Sequence, residues 1–324
     1  MLTLTDEIMF RTEVKIESSP QKIGYEDAIL SLGSCFSENI GNKLSEAYFS
    51  SDVNPFGVLF NPVSIKNSLD TLLSEKTLSE TDLFQHGSIW KTFTHSSLFA
   101  GTSKENVLKN INERLISSAQ KLKRTKVILI TFGTAWVYEY LKTSEVVANC
   151  HKLPAGEFAR KRLCVDDIVS DYIALFHKIK TLFPDIHVIM TVSPIRHWKD
   201  GAHENNISKS VLLLAIEKLQ KLFPFVSYFP AYEILMDELR DYRFYASDMC
   251  HPSPEAVDYI WKRFCETYFT HKTNQLRLKL ENLNQQLNHK PLFPDTIEHS
   301  YFLYQIEKQK TELKKEYPFL EGRF

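Results

Sequence analysis

The chain has 324 residues, enough for one large α/β domain with elaborations or for two modest domains, and its 39 Lys+Arg against 40 Asp+Glu leave a formal net charge of -1, so no global field attracts nucleic acid or an anionic membrane. Five cysteines, at 35, 150, 164, 250 and 265, are odd in number and lack any C-x-x-C spacing, which argues against a disulfide framework and against a zinc ribbon. Ten glycines, no two separated by a single residue, leave no dinucleotide fingerprint or phosphate loop, and neither G-x-S-x-G nor H-E-x-x-H occurs.

The first residues, Met1-Leu-Thr-Leu-Thr-Asp-Glu-Ile8, lack the basic and apolar segments of a secretory signal, and the longest apolar run, Val211 to Ile216, is far too short to span a bilayer. The expectation is a cytoplasmic protein with no membrane partner. Phe10 to Ile16 alternates as an extended piece that packs onto the edge of the main domain. Ala28 to Leu32 reads as the first central strand and Glu38 to Ala47 as a helix with Ile40, Leu44 and Ala47 on one face. A connection follows through Asp52-Val-Asn-Pro-Phe-Gly57 to Pro62. Helices are expected over 63 to 75 and 103 to 121, with a hairpin or insertion around 84 to 100 between them. Val127 to Phe132 is a buried strand, Val165 to Phe183 a helix opened by Asp166 and Asp167, and Ile186 to Val192 a further strand.

Asn206 to Phe223 reads as a helix, Val226 to Phe229 as a short strand, Ala231 to Leu239 as a helix and Pro254 to Phe269 as the last helix of the domain. This alternation predicts a three-layer α/β fold with a parallel sheet over residues 1 to 271. Beyond His271, Leu276, Leu280, Leu283 and Leu287 make a short coiled-coil-like seam, and Asp295 with Glu298 opens a second helix toward Glu316. With nine Lys+Arg against seven Asp+Glu, residues 272 to 324 form a mixed-charge helical hairpin that covers the domain or a second copy of the chain in a homodimer, not a nucleic-acid arm.

Chemistry concentrates at two loops. Gly33-Ser34-Cys35 places two candidate nucleophiles at a strand-to-helix turn, where the first backbone N–H groups of the helix face whatever binds. Asp248 and His251 have the spacing of an orienting carboxylate and a general base. In parallel sheets the ligand crevice lies outside the carboxyl ends of the strands. The segments 33–35, 54–57, 133–136, 193–197 and 248–251 all follow a predicted strand or lie on a later loop, so one crevice can collect them. A rival constellation pairs Cys150-His151 with Cys250-His251 as a zinc site supported by Asp248.

Leu30-Ser-Leu-Gly-Ser-Cys-Phe-Ser37, Asn54-Pro-Phe-Gly57, Thr131-Phe-Gly-Thr-Ala-Trp136, Val147-Ala-Asn-Cys-His-Lys152 and Asp237 to Ala246 are similar to motifs of the GSCFA domain family of bacterial proteins. That family resembles the SGNH, or GDSL-like, hydrolases. The resemblance implies a flavodoxin-like three-layer sheet with a C-terminal helical extension and a nucleophile–His–Asp site without a cofactor or metal. It places Asp248 and His251 on the last motif of the superfamily and Gly57 on the second, as a backbone donor to an oxyanion.

On the first motif either Cys35 or, after a one-residue shift, Ser34 takes the nucleophile position. On the third, Ala135 stands where an oxyanion-binding Asn is expected, so Thr134 and Asn149 become replacement candidates. His151, Arg196, His197 and Lys209 are candidates for lining the substrate pocket, with Arg196 or Lys209 suited to an anion. The reading is a hydrolase or acyltransferase acting on an ester or thioester, a small-molecule or glycan-like acylated substrate. Its alternatives are a degenerate binding module of the same fold or a Cys/His metal-binding protein.

Overall fold

In a computed structural model of the chain, residues 11–323 are described. Five short apolar or edge segments build the central sheet: β1 (Ala28–Gly33), β2 (Ser50–Val53), β5 (Thr125–Phe132), β9 (His187–Val192) and β10 (Val226–Tyr228). All pair in parallel, in the order β10-β9-β5-β1-β2. Counted among themselves, the strands run 2-1-3-4-5, the doubly wound order in which the winding reverses between the first and third strands and a crevice opens there. Ile128, Ile130, Val188 and Met190 point into one apolar layer while Val127, Leu129 and Ile189 point into the other. This period-2 division is what a strand buried on both faces produces.

The first layer is covered by α2 (Pro62–Leu73), α3 (Lys104–Leu122), α4 (Val165–Leu182) and α5 (Gly201–Leu222). The second is covered by α1 (Cys35–Glu46), α6 (Ala231–Glu233) with its π-helical continuation Ile234–Glu238, and α7 (Pro254–Tyr268). Two further helices, α8 (His271–Leu287) and α9 (Ile297–Glu316), form the expected C-terminal hairpin. It folds back on its own domain, burying Leu276, Leu280, Leu283, Ile306 and Leu313 in the second layer. Ile297, Tyr301 and Tyr304 remain exposed. Thr296, not Asp295, caps α9 by accepting the His299 N–H. No helix among the described residues is long and apolar enough to cross a membrane.

Several elements differ from expectation. Residues 136–162 form an antiparallel sheet of β6 (Trp136–Tyr140), β7 (Glu145–Val147) and β8 (Phe158–Arg162), in the order β7-β6-β8, where no strand is legible in the sequence. The aromatic segment resolves into a hairpin of β3 (Phe84–His86) and β4 (Ile89–Lys91). Phe10 and Met1 to Ile8 lie outside the described residues. The remainder of the extended piece joins no ladder. It is held by side chains instead: the Val14 N–H donates to Glu238 at 3.2 Å and Arg263 Nη2 donates to the Val14 carbonyl at 2.6 Å.

The turn after β1 requires glycine. Gly33 has φ +139, and a Cβ there would stand 2.2 Å from the Thr131 carbonyl oxygen on the neighbouring strand. Gly33→Ala is expected to destabilise the chain by roughly 3 kcal/mol, read as a fall in the urea midpoint. An unchanged midpoint would show that the turn tolerates a side chain.

Candidate active site

Ser34 has the extended backbone of a helix N-cap, and its hydroxyl accepts the Phe36 N–H at 3.3 Å. Serine suits this position because its oxygen replaces one of the missing helical acceptors. Its oxygen is therefore engaged as the cap acceptor, and the residue is 1% exposed. Cys35 follows as the first residue of α1, half-buried, on the wall of a cavity of about 450 Å³. Its own N–H belongs to the first helical turn, which has no intrahelical acceptor.

The distant loop meets it there. His251 Nε2 lies 3.8 Å from Cys35 Sγ, and His251 Nδ1 lies 2.6 Å from Asp248 Oδ2. The other Asp248 oxygen accepts the N–H groups of Cys250 and His251, both at 2.9 Å. These backbone donors, followed by the imidazole, hold the Asp248 carboxyl down at about 2. An ionised Asp248 accepts from Nδ1, which leaves Nε2 as the acceptor facing the thiol. Burial pushes the Cys35 thiol up from its ordinary value. The resting sulfur is thus protonated near neutral pH, with His251 Nε2 facing it as an acceptor.

Hydrogen bonds also brace the crevice behind the thiol. The Gly33 N–H donates to Asn54 Oδ1 at 3.0 Å, tying the 54–57 turn to the nucleophile turn. Lys209, 1% exposed, donates to the carbonyls of Gly133 at 2.6 Å and Ser193 at 2.7 Å, clamping the ends of β5 and β9. Burial lowers its amine to about 7. Cys250 Sγ donates to the Arg196 carbonyl at 2.9 Å, joining the 193–197 loop to the histidine loop.

The structure brings Ser34, Cys35, Thr134, Asn149, Arg196, His197 and His251 to one cavity. The remaining candidates are placed otherwise. Gly57 is outside the lining, and its N–H donates to the Asn54 carbonyl at 2.7 Å. Its positive φ of +74 and the close approach of Ser96 Oγ explain the glycine without a ligand. Lys209 reaches backbone carbonyls rather than the cavity.

His151 is buried with Nε2 donating to the Thr92 carbonyl at 2.7 Å and Nδ1 3.3 Å from Ser97 Oγ. That commitment separates it from the imagined zinc constellation. Among the described residues no group of three His, Cys, Asp or Glu is placed to hold a metal. The Thr134 hydroxyl is engaged by Ser208 at 3.1 Å and the Trp136 N–H at 3.1 Å, and Asn149 Oδ1 accepts the His151 N–H at 2.7 Å. Ala135 is fully buried in the first apolar layer.

Other lining residues were not singled out among the sequence-based site candidates. Asn61 lines the cavity and caps α2, its Oδ1 accepting the Ser64 N–H at 2.9 Å. Its signal was available: Asn before Pro62 is a helix-start pattern. Trp136, Tyr138 and Arg160 arrive on the antiparallel sheet, and Lys199 and Asp200 on the turn before α5.

Comparison with known families agrees with the motifs that build this crevice. The model of the GSCFA family matches residues 28–264, and that of the GSCFA domain protein, C-terminal domain, matches residues 280–323. No curated protein matches the chain. Since the first match spans well over half of the sequence and contains Gly33-Ser34-Cys35, Asn54-Pro-Phe-Gly57 and the Asp248–His251 loop, the chain belongs to the GSCFA family.

Proposed function

We propose that the chain is an SGNH-like hydrolase or acyltransferase that cleaves an ester or thioester through Cys35, His251 and Asp248. The observation that carries this reading is the continuous series Cys35 Sγ, His251 Nε2, His251 Nδ1, Asp248 Oδ2, with separations of 3.8 Å and 2.6 Å across the two polar contacts. A contact of this length between thiol and imidazole is loose, as catalytic contacts often are before substrate tightens them.

In the first half-reaction the thiol proton passes to His251 Nε2 as Sγ bonds to the substrate carbonyl carbon. Asp248 holds the imidazole in the required tautomer and stabilises its charged form. The oxyanion faces the Cys35 N–H at the start of α1, and Asn61 Nδ2 supplies a side-chain donor in place of the one absent at Ala135. Collapse breaks the bond to the leaving group, which takes the proton from His251. Water then gives a proton to His251 and attacks the acyl-Cys35 thioester, releasing the acid and restoring the thiol. An acceptor alcohol in place of water makes the same site a transferase.

Acid-quenched mass spectrometry after mixing with S-phenyl thioacetate tests this. One acetyl group on the Cys35 peptide, absent in Cys35→Ala, is expected. Turnover with no adduct on Cys35, or neither turnover nor adduct, would refute it. The second reading, a binding module on a degenerate fold, is favoured by the engaged Gly57 N–H and the buried Ala135, which remove two expected oxyanion donors.

A further inference from the structure

The cavity opening on Cys35 carries more positive charge than its walls neutralise. Arg160, Arg196 and Lys199 line it against Asp200 as the one lining carboxylate among the described residues. Arg160 spends its charge on Asp200 while its guanidinium lies 4.2 Å from the Trp136 ring centroid and 5.5 Å from that of Tyr138. Lys199 donates to the Tyr138 hydroxyl at 2.7 Å, a neutral partner.

Arg196 also has only neutral partners among the described residues, Asn206 Oδ1 at 3.3 Å and Met236 Sδ at 3.2 Å. Outside the cavity the same sheet is balanced: Lys161 meets Glu139 at 2.6 Å and Arg162 meets Glu204 at 2.5 Å. The surplus is local to the site, and it is held in place. The Arg196 carbonyl accepts the Cys250 thiol, which ties the backbone bearing this cation to the loop that carries His251.

We propose that the substrate of this site is an anion: an acyl ester or thioester bearing a carboxylate or phosphate that docks on Arg196 and Lys199, with Arg160 stacked behind on the aromatic wall. The inference rests on the acyl-transfer reading for its reactive centre, and on the charge balance of the wall for its specificity. A guanidinium offers paired donors that match a carboxylate or phosphate, and an ammonium beside it supplies a second charge. A low-dielectric cavity lined by one sign of charge raises the local concentration of the opposite sign.

Alkylation of Cys35 reads this without requiring catalysis. Rates for iodoacetate and iodoacetamide are measured by peptide mapping, and their ratio is compared with that of free cysteine. The ratio at Cys35 is expected to exceed the free-thiol ratio by about tenfold and to fall toward it in 0.5 M salt. Arg196→Met and Lys199→Met together are expected to abolish the excess; the ratio is the readout, because losing two cations also changes the reactivity of the thiol toward both reagents. Arg196→Lys is expected to retain part of it. A ratio equal to that of free cysteine, or one indifferent to the double substitution, would overturn the proposal.

Protection of Cys35 against iodoacetamide separates the two sources of charge. Protection by monomethyl succinate assigns the anion to the acyl group, and protection by phosphopantetheine assigns it to the carrier. Protection by neither, with no iodoacetate preference, overturns the anion site. An iodoacetate preference in a chain that never forms an acetyl adduct keeps the anion site and removes the acyl chemistry.

Discussion

Cys35→Ala is expected to lower kcat/KM for thioester hydrolysis by at least about four orders of magnitude, and His251→Ala by a comparable factor. The two losses should not add, because thiol and imidazole act as one unit. Asp248→Asn should cost about two to four orders, since the imidazole loses the partner that fixes its tautomer. Ser34→Ala behaves differently. Its hydroxyl receives the Phe36 N–H, so its removal should cost about 1 kcal/mol of stability and leave the rate within roughly tenfold of the parent. Steady-state kinetics on the four variants, with urea midpoints alongside, distinguish the two candidate nucleophiles. A rate abolished by Ser34→Ala and retained by Cys35→Ala would transfer the role to serine.

The second large effect is acid sensitivity. His95 is held near 3 by burial with a smaller contribution from His151, His187 near 4 by burial, and His197 near 4 by burial and the neighbouring Lys209 charge. All three values lie below the ordinary histidine value near 6.5. Between pH 6.5 and 4 the unfolded chain therefore binds more protons than the native one, and stability falls as the pH falls. Each histidine contributes up to roughly 3 kcal/mol of this loss at pH 4, so together they rival the whole stability of an ordinary domain.

His95 has the least room to adapt: it is 0% exposed, stacked 4.6 Å from Phe56, and its Nε2 has no partner among the described residues. Urea midpoints at pH 7, 6 and 5 are expected to drop steeply, with uptake of about three protons per molecule on acid unfolding. Midpoints constant across that range would contradict neutral buried histidines.

Much of the fold was legible because β1, β5 and β9 are predominantly apolar and the helices between them carry regular apolar faces. What was illegible has physical reasons. Strand β2 is Ser-Ser-Asp-Val, four residues at the sheet edge, and only its pairing with β1 makes it a strand. In β8 only Phe158 is buried, while Arg160, Lys161 and Arg162 are exposed, so the strand reads as a charged loop. Missing that sheet meant missing Tyr138 and Arg160 as cavity residues.

The Asp248–His251 pair could be read because both its members lie within one turn, whereas the constraint on Ser34 is tertiary and local at once: a cap is recognised only when the helix start is known to the residue. The sequence suggested Gly57 as the functional part of Asn54-Pro-Phe-Gly57. In the fold Asn54 is the residue of that motif that reaches the nucleophile turn.

The separation between thiol and imidazole also bears on the chain while it is being made. Cys35 and His251 are 216 positions apart, and at ordinary translation rates the histidine is synthesised roughly 10 to 40 s after the cysteine. Throughout that interval the Cys35 thiol lacks the base proposed for it, although the wall residues 134–200 are made within it. On the proposed mechanism the site is completed late, once the loop carrying His251 has been made and meets Cys35.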